Sequence, residues 1–234
     1  MTTVPYDLAP DTRPVVGLIV LQADETIEEE LPRLLPEGVR CLVSRVPSGT
    51  SVTPDTLAEM ARHLTGAAAL FPAGLTLEAV AYACTSGTAE IGPDRVAELV
   101  RKGGEARAVT DPVTALVAAC RAQGVARIGL VSPYVASVSD RLVAVLRGHG
   151  IEVVERVTFD EAEEAKVARI SADSVRQAAR HVMDVARPEA VFLSCTNLRT
   201  AGFLDALAEE IAAPVMSSNS VLAWDLGRLA GSSD

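Results

Sequence analysis

The chain has 234 residues, 49% hydrophobic and 22% charged, with 21 basic and 31 acidic side chains and a net charge of −10. That length suffices for one large domain or two of roughly 100 residues with a proper core. Its acidity and scattered Lys and Arg exclude a nucleic-acid partner, which needs clustered cations, and disfavour an anionic membrane surface.

Taken in order, residues 1–14 carry Asp7, Asp11 and several prolines without a basic or apolar run, so no export signal is expected. Residues 15–20 read as a buried strand, followed by an acidic amphipathic stretch over 26–35 and a second strand over 39–46. Thr53-Pro54-Asp55 is a helix start that leads into the 57–64 pattern. The apolar run 67–84 approaches membrane-spanning length, but Pro72, Gly74 and Glu78 interrupt it, and only 79–84 is read as structure, a third strand. A helix over 94–101, a short strand at 108–109 and a helix over 112–123, closed by Gly124, follow. The second half predicts strand 127–131, helix 138–147, strand 151–157, helix 173–186, strand 190–193, helix 203–211, strand 214–216 and helix 221–229. This alternation implies an α/β protein with parallel sheets covered by helices.

The halves resemble each other. Gly17 in Val-Gly-Leu-Ile-Val recurs as Gly129 in Ile-Gly-Leu-Val-Ser, 112 positions later, and Gly38 recurs as Gly150 at the same spacing. The run from Ala79 recurs from Ala190, 111 positions later, and Ala-Arg-His at 61–63 recurs at 179–181. A duplicated unit predicts two pseudo-symmetric Rossmann-like domains, 13–111 and 112–220, with the last helix, 221–230, packing on the first and the active site in the cleft between them.

Cys41, Cys84, Cys120 and Cys195 form no CxxC or zinc-type spacing, so free thiols in a reducing, cytoplasmic compartment are expected. Duplication sets Cys84 and Cys195 at equivalent strand ends, each followed by threonine (Thr85, Thr196), where open α/β sheets bind ligands. Thiols facing each other across a cleft suit cofactor-free isomerisation: one removes a proton from one face of a carbon and the other delivers one to the opposite face. Strand-end loops and helix starts are expected to lower such thiols from about 8.5 into the range ~3.5–7.5. Cys41 and Cys120 read as core residues. His63, His149 and His181 read as incidental, which weakens a Cys–His hydrolase. The acidic runs 28–30 and 160–164 read as solvated faces, the second placed to border the cleft. Trp224 and Asp225 read as packing and capping residues, and Asn219 fits either an N-cap or a ligand position.

At these residues a resemblance becomes specific. Tyr-Ala-Cys-Thr-Ser-Gly-Thr (82–88), Ser-Pro-Tyr (132–134), Leu-Ser-Cys-Thr-Asn-Leu-Arg-Thr (193–200) and Ser-Ser-Asn-Ser-Val-Leu-Ala-Trp-Asp (217–225) resemble the aspartate/glutamate racemase superfamily. Within it, the maleate cis-trans isomerase and arylmalonate decarboxylase branch is the nearest. The resemblance implies an interdomain active site, no metal or organic cofactor, a small carboxylate or amino-acid substrate and a homodimer. It makes Cys84 and Cys195 the catalytic pair. The branch's decarboxylases keep only the second cysteine, so both together favour an isomerase or racemase. It further implies that Tyr134, helped by Ser132, holds a substrate carboxylate, with Thr85, Ser86, Thr196 and Asn197 as further donors. Where the maleate isomerases carry Pro-Ser-Ser-Asn, with the Asn binding a carboxylate, this chain reads Leu21-Gln22-Ala23-Asp24. Asp24 repels a dianion and suits an ammonium group. That variant resembles the ectoine-utilisation relatives, associated with diaminobutyrate derivatives. Two other classes compete. A binding module also uses two facing α/β lobes, but no export signal is expected and the Cys-Thr ends have no role in it. A thiol redox protein lacks its CxxC.

Overall fold

The computed structural model describes residues 1–231. Its first half runs β1 (Val15–Leu21), α1 (Ile27–Leu34), β2 (Arg40–Val46), α2 (Pro54–Glu59), α3 (Ala61–Ala68), β3 (Leu77–Ala83), α4 (Thr85–Ile91), α5 (Pro93–Gly103), β4 (Ala106–Thr110) and α6 (Pro112–Gln123). The second runs β5 (Arg127–Tyr134), α7 (Ala136–Gly148), β6 (Glu152–Glu161), α8 (Glu164–Val167), α9 (Ala172–Ala186), β7 (Ala190–Leu193), α10 (Leu204–Ile211), β8 (Val215–Ser217) and α11 (Ser218–Leu229). The strands form two four-stranded sheets with orders β2-β1-β3-β4 and β6-β5-β7-β8, every pairing parallel. No helix among the described residues is long and apolar enough to cross a membrane.

A parallel strand covered on both faces needs apolar side chains in both directions, and β1, Val-Val-Gly-Leu-Ile-Val-Leu, is buried along its whole length. Its alternate residues enter different cores: Val16, Leu18 and Val20 pack in one, and Val15, Ile19 and Leu21 in the other. Helix ends follow local chemistry. Asp111 accepts the Val113 and Thr114 N–H groups ahead of Pro112, and Gly124 closes α6 at φ +68°.

The repeated glycines have one cause in each half. A Cβ on Gly17 would come within 2.8 Å of the Phe71 ring, and one on Gly129 would overlap Val182, so both let a covering segment sit directly on the central strand. Gly38 and Gly150 both take positive φ, +87° and +82°, in the turn before β2 and β6. The last helix returns across the molecule: α11 lies against α1, β3, β4 and α6.

Two short helices escape the sequence pattern. α4 opens with Thr-Ser-Gly-Thr, weak helix formers with a glycine in the first turn, and α8 is a single turn. Both form because of where their neighbours hold them, and both border the site.

Candidate active site

The central strands β3 and β7 occupy equivalent places in their sheets, and each delivers a cysteine just past its C-terminal end. Cys84 and Cys195 line one narrow, closed cavity together with Asp24, Thr85, Ser86, Tyr134, Glu164, Thr196 and Asn197, whose free volume is about that of a single water molecule. The sulfurs are held differently. Cys84 caps α4, its Sγ accepting the Gly87 N–H at 3.1 Å. Cys195 has φ +110°, a strained value for a residue with a side chain. The Ser218 hydroxyl accepts its N–H at 2.9 Å, and the Tyr134 hydroxyl lies 2.9 Å from its Sγ.

Both thiols depart from the expected acidity. Burial pushes Cys84 up to about 12, and burial drives Cys195 well above the ordinary thiol value, with the Glu164 and Asp24 carboxyls adding to both. The N–H of Gly87 on Cys84, and Tyr134 on Cys195, act in the opposite direction but do not prevail. The expected lowering assumed an open, wet strand end; this end is dry and faces carboxyls.

Most of the residues expected in the site meet there, but several are already engaged. Asn197 donates from Nδ2 to the Glu164 side chain (2.9 Å) and carbonyl (3.1 Å) and accepts the Glu25 N–H at 2.9 Å. Thr196 donates to the Ala83 carbonyl at 3.2 Å, and the Thr85 hydroxyl pairs with Ser218 at 2.7 Å. Ser132 is the exception. Its hydroxyl accepts the Tyr134 N–H (3.3 Å) and the Ser139 hydroxyl (3.1 Å), so it braces the strand end behind Tyr134 and does not line the cavity. His63, His149 and His181 are exposed on the surface.

Asp24 and Glu164, each only 5% exposed, set the electrostatics. Asp24 accepts the Thr26 and Ile27 N–H groups at 2.8 and 2.9 Å through Oδ1, while Oδ2 has no partner. Burial raises its pKa above the usual carboxylate value. Glu164 accepts from Tyr134 (3.0 Å) and Asn197, and burial raises it too, with Asp24 adding repulsion.

The acidic runs are therefore not uniformly solvated. Glu28 and Glu29 are exposed, but Glu30 is buried, taking the Thr200 and Ala201 N–H groups at 2.7 and 3.0 Å and the Asn219 amide at 2.8 Å. Asn219 is thus a buried brace, while Ser217 is the cap of α11. Glu164 arrives because the chain after β6 crosses to the first half. There the Val52 N–H donates to the Ala162 carbonyl (2.8 Å) and the Glu164 N–H to the Thr50 carbonyl (3.1 Å). An ion pair between Arg169 and Glu25 at 3.0 Å closes the same seam. No local pattern encodes that crossing. Ser218, also unforeseen, lies within the Ser-Ser-Asn-Ser stretch.

Compared with known proteins, residues 16–234 match the model of the arylmalonate decarboxylase family. A maleate isomerase of Nocardia farcinica is 27% identical over 224 residues, covering 91% of this chain and 88% of that protein. One from Geobacillus stearothermophilus is 24% identical over 218 residues, covering 87% and 86%. Among solved structures, a cysteine-to-serine mutant of the N. farcinica maleate cis-trans isomerase with a covalently bound succinylcysteine intermediate superposes with a TM-score of 0.81. It is 25% identical and covers 93% of each chain.

Proposed function

Because this chain belongs to the arylmalonate decarboxylase family, we propose that it is a cofactor-independent isomerase in which two cysteines act on a small carboxylate. The observation that carries this reading is the convergence of Cys84 and Cys195, from equivalent strand ends, on one closed cavity.

The chemistry follows from a sulfur on each side. On an unsaturated carboxylate, the Cys84 thiolate bonds to one alkene carbon, and the displaced electron pair takes the Cys195 proton onto the neighbouring carbon. The new single bond turns, the Cys195 thiolate takes the proton back, and the carbon–sulfur bond breaks. On a saturated carboxylate the same pair exchanges a proton across the α-carbon, one thiolate removing it and the other thiol replacing it. The Tyr134 hydroxyl lies between Glu164 and Cys195, and turning its one proton from the carboxyl to the sulfur steadies that sulfur in its anionic form. Thr85, Ser86, Thr196, Asn197 and Asp24 form the binding wall, with Ser132 a brace behind Tyr134. Each positioned acid–base group contributes roughly 10²–10⁴-fold, and donors preset for the developing enolate add a comparable factor.

We read the chain as two lobes, 13–111 with 221–230 packed on it and 112–220, so that the cavity lies between them. A cytoplasmic location fits its free thiols and acidity, and a homodimer is what the resemblance to the superfamily implies. The test is proton NMR in heavy water with Cys84→Ser and Cys195→Ser. Each variant is expected to abolish isomerisation while one-sided deuterium exchange survives; full activity in either variant refutes the scheme.

A further inference from the structure

We infer, resting on the two-cysteine reading above, that the carboxylate isomerised here also carries a protonated amino group, recognised by the converging carboxyls of Asp24 and Glu164. The argument is one of charge. Among the described residues, those lining the cavity include no Lys, Arg or His, whereas two buried carboxyls face it. Arg45, the cation that acts on Asp24, is engaged behind the loop. Its guanidinium donates to the carbonyls of Leu21, Gln22 and Asp24 at 3.0, 3.2 and 3.3 Å and pairs with Glu28. A substrate dianion would therefore add two negative charges to two buried carboxyls with no counter-ion.

An ammonium group reverses that balance. Asp24 Oδ2 is buried and takes no well-formed hydrogen bond: the Thr196 hydroxyl beside it is near enough to favour the carboxylate, but directs its one proton to the Ala83 carbonyl. A buried oxygen without a donor marks where a donor belongs. Each Glu164 oxygen takes one hydrogen bond and has a lone pair to spare, and an ammonium brings three donors. Ser86 lines the same cavity and is left to meet the substrate carboxylate, beside Thr85, whose hydroxyl pairs with Ser218. The cavity thus has an acceptor region and a donor region, the complement of a zwitterion.

The experiment offers the protein short carboxylates in heavy water, saturated and unsaturated, in matched sets: dianions without nitrogen, the same skeletons bearing a free ammonium, and their N-acetyl forms. Proton NMR reads deuterium uptake and isomerisation. Turnover is expected in the ammonium set alone, with acetylation abolishing it. Asp24→Asn keeps Oδ1 as acceptor for Thr26 and Ile27, and losing one charge-assisted contact should slow the ammonium set roughly 10–100-fold. Glu164→Gln should act in the same direction, with circular dichroism confirming the fold of both variants. Cysteine-dependent turnover of the dianions at the rate of the ammonium set would overturn the inference and leave the two-cysteine reading standing. So would an unchanged preference in the double variant. Turnover of no set would overturn both.

Discussion

Replacing Glu164 by glutamine removes one negative charge from the cavity at nearly constant volume, and its effect on Cys195 can be worked from the geometry. Cys195 Sγ and Glu164 Oε1 both contact the Tyr134 hydroxyl, at 2.9 and 3.0 Å, which places them no more than about 6 Å apart. At that separation and an effective dielectric constant of ~20, a unit charge acts on a thiolate with about 2.8 kcal/mol, a factor of about 100 in an equilibrium constant. Burial is the larger cause of the raised Cys195 value and stays in place, but the Glu164 contribution is lost. The thiolate fraction at neutral pH then rises. A more acidic thiol is a weaker nucleophile, and a Brønsted slope of ~0.4–0.5 takes back about a factor of ten. Alkylation of Cys195 by iodoacetamide, quantified by peptide mass spectrometry, is therefore expected to be about tenfold faster in the variant. The sign of the pH dependence is fixed as well. Glu164 is held above its ordinary value by burial, so at low pH it is protonated in the wild type and the two proteins converge. They separate as pH rises and Glu164 ionises. Cys120, buried in α6, serves as the control for global opening. Equal or slower labelling of Cys195 in the variant at the alkaline end would refute this account of the raised thiol.

The other expectations concern neighbouring residues. Tyr134→Phe removes the donor that favours the Cys195 thiolate, so alkylation should slow and turnover fall roughly 10–100-fold. Glu30→Gln can keep Oε1 on the N–H groups of Thr200 and Ala201 only by setting its NH₂ against the donating Asn219 amide, and should lower stability by about 1–3 kcal/mol. That loss reads as a reduced urea midpoint at constant slope. Gly129→Ala forces a methyl into Val182 and should cost about 1–3 kcal/mol. Gly66→Ala, mid-helix in open space, should gain about 0.5–1 kcal/mol, and paired thermal melts report the opposite signs.

The repeat made much of this legible. Gly17 with Gly129 and Gly38 with Gly150 mark the same packing and turn constraints twice, so the correspondence of the two halves and the pairing of Cys84 with Cys195 follow from one-dimensional spacing, whereas the strand order comes from the structure. Long strands and capped helices, such as β1 and α6, announce themselves through their apolar runs and caps. What the pattern hides depends on contacts between distant segments. Glu164 and Glu30 look like surface acids, because each is held buried by hydroxyl, N–H or amide donors about 30 or more residues away in sequence. Thiol acidity was misjudged for the same reason: a strand end is acidifying only while water reaches it, and here segments 50–52 and 162–164 close over it.

The return of α11 to the first sheet has a consequence for biosynthesis. Val16, Leu18, Ala79 and Ala81 share a core with Leu222 and Leu226, so that layer of the amino-terminal half is not completed until residues 222–226, about 200 positions after the first strand, have been translated. The nascent chain carries an open apolar layer past the ribosome in the meantime, and this non-local closure slows folding and invites aggregation. A stop codon just before Ser218 would spare both reactive sulfurs yet remove the hydroxyl that takes the Cys195 N–H and the amide that tethers Glu30. Such a fragment should collect in inclusion bodies, although it retains every strand of both sheets.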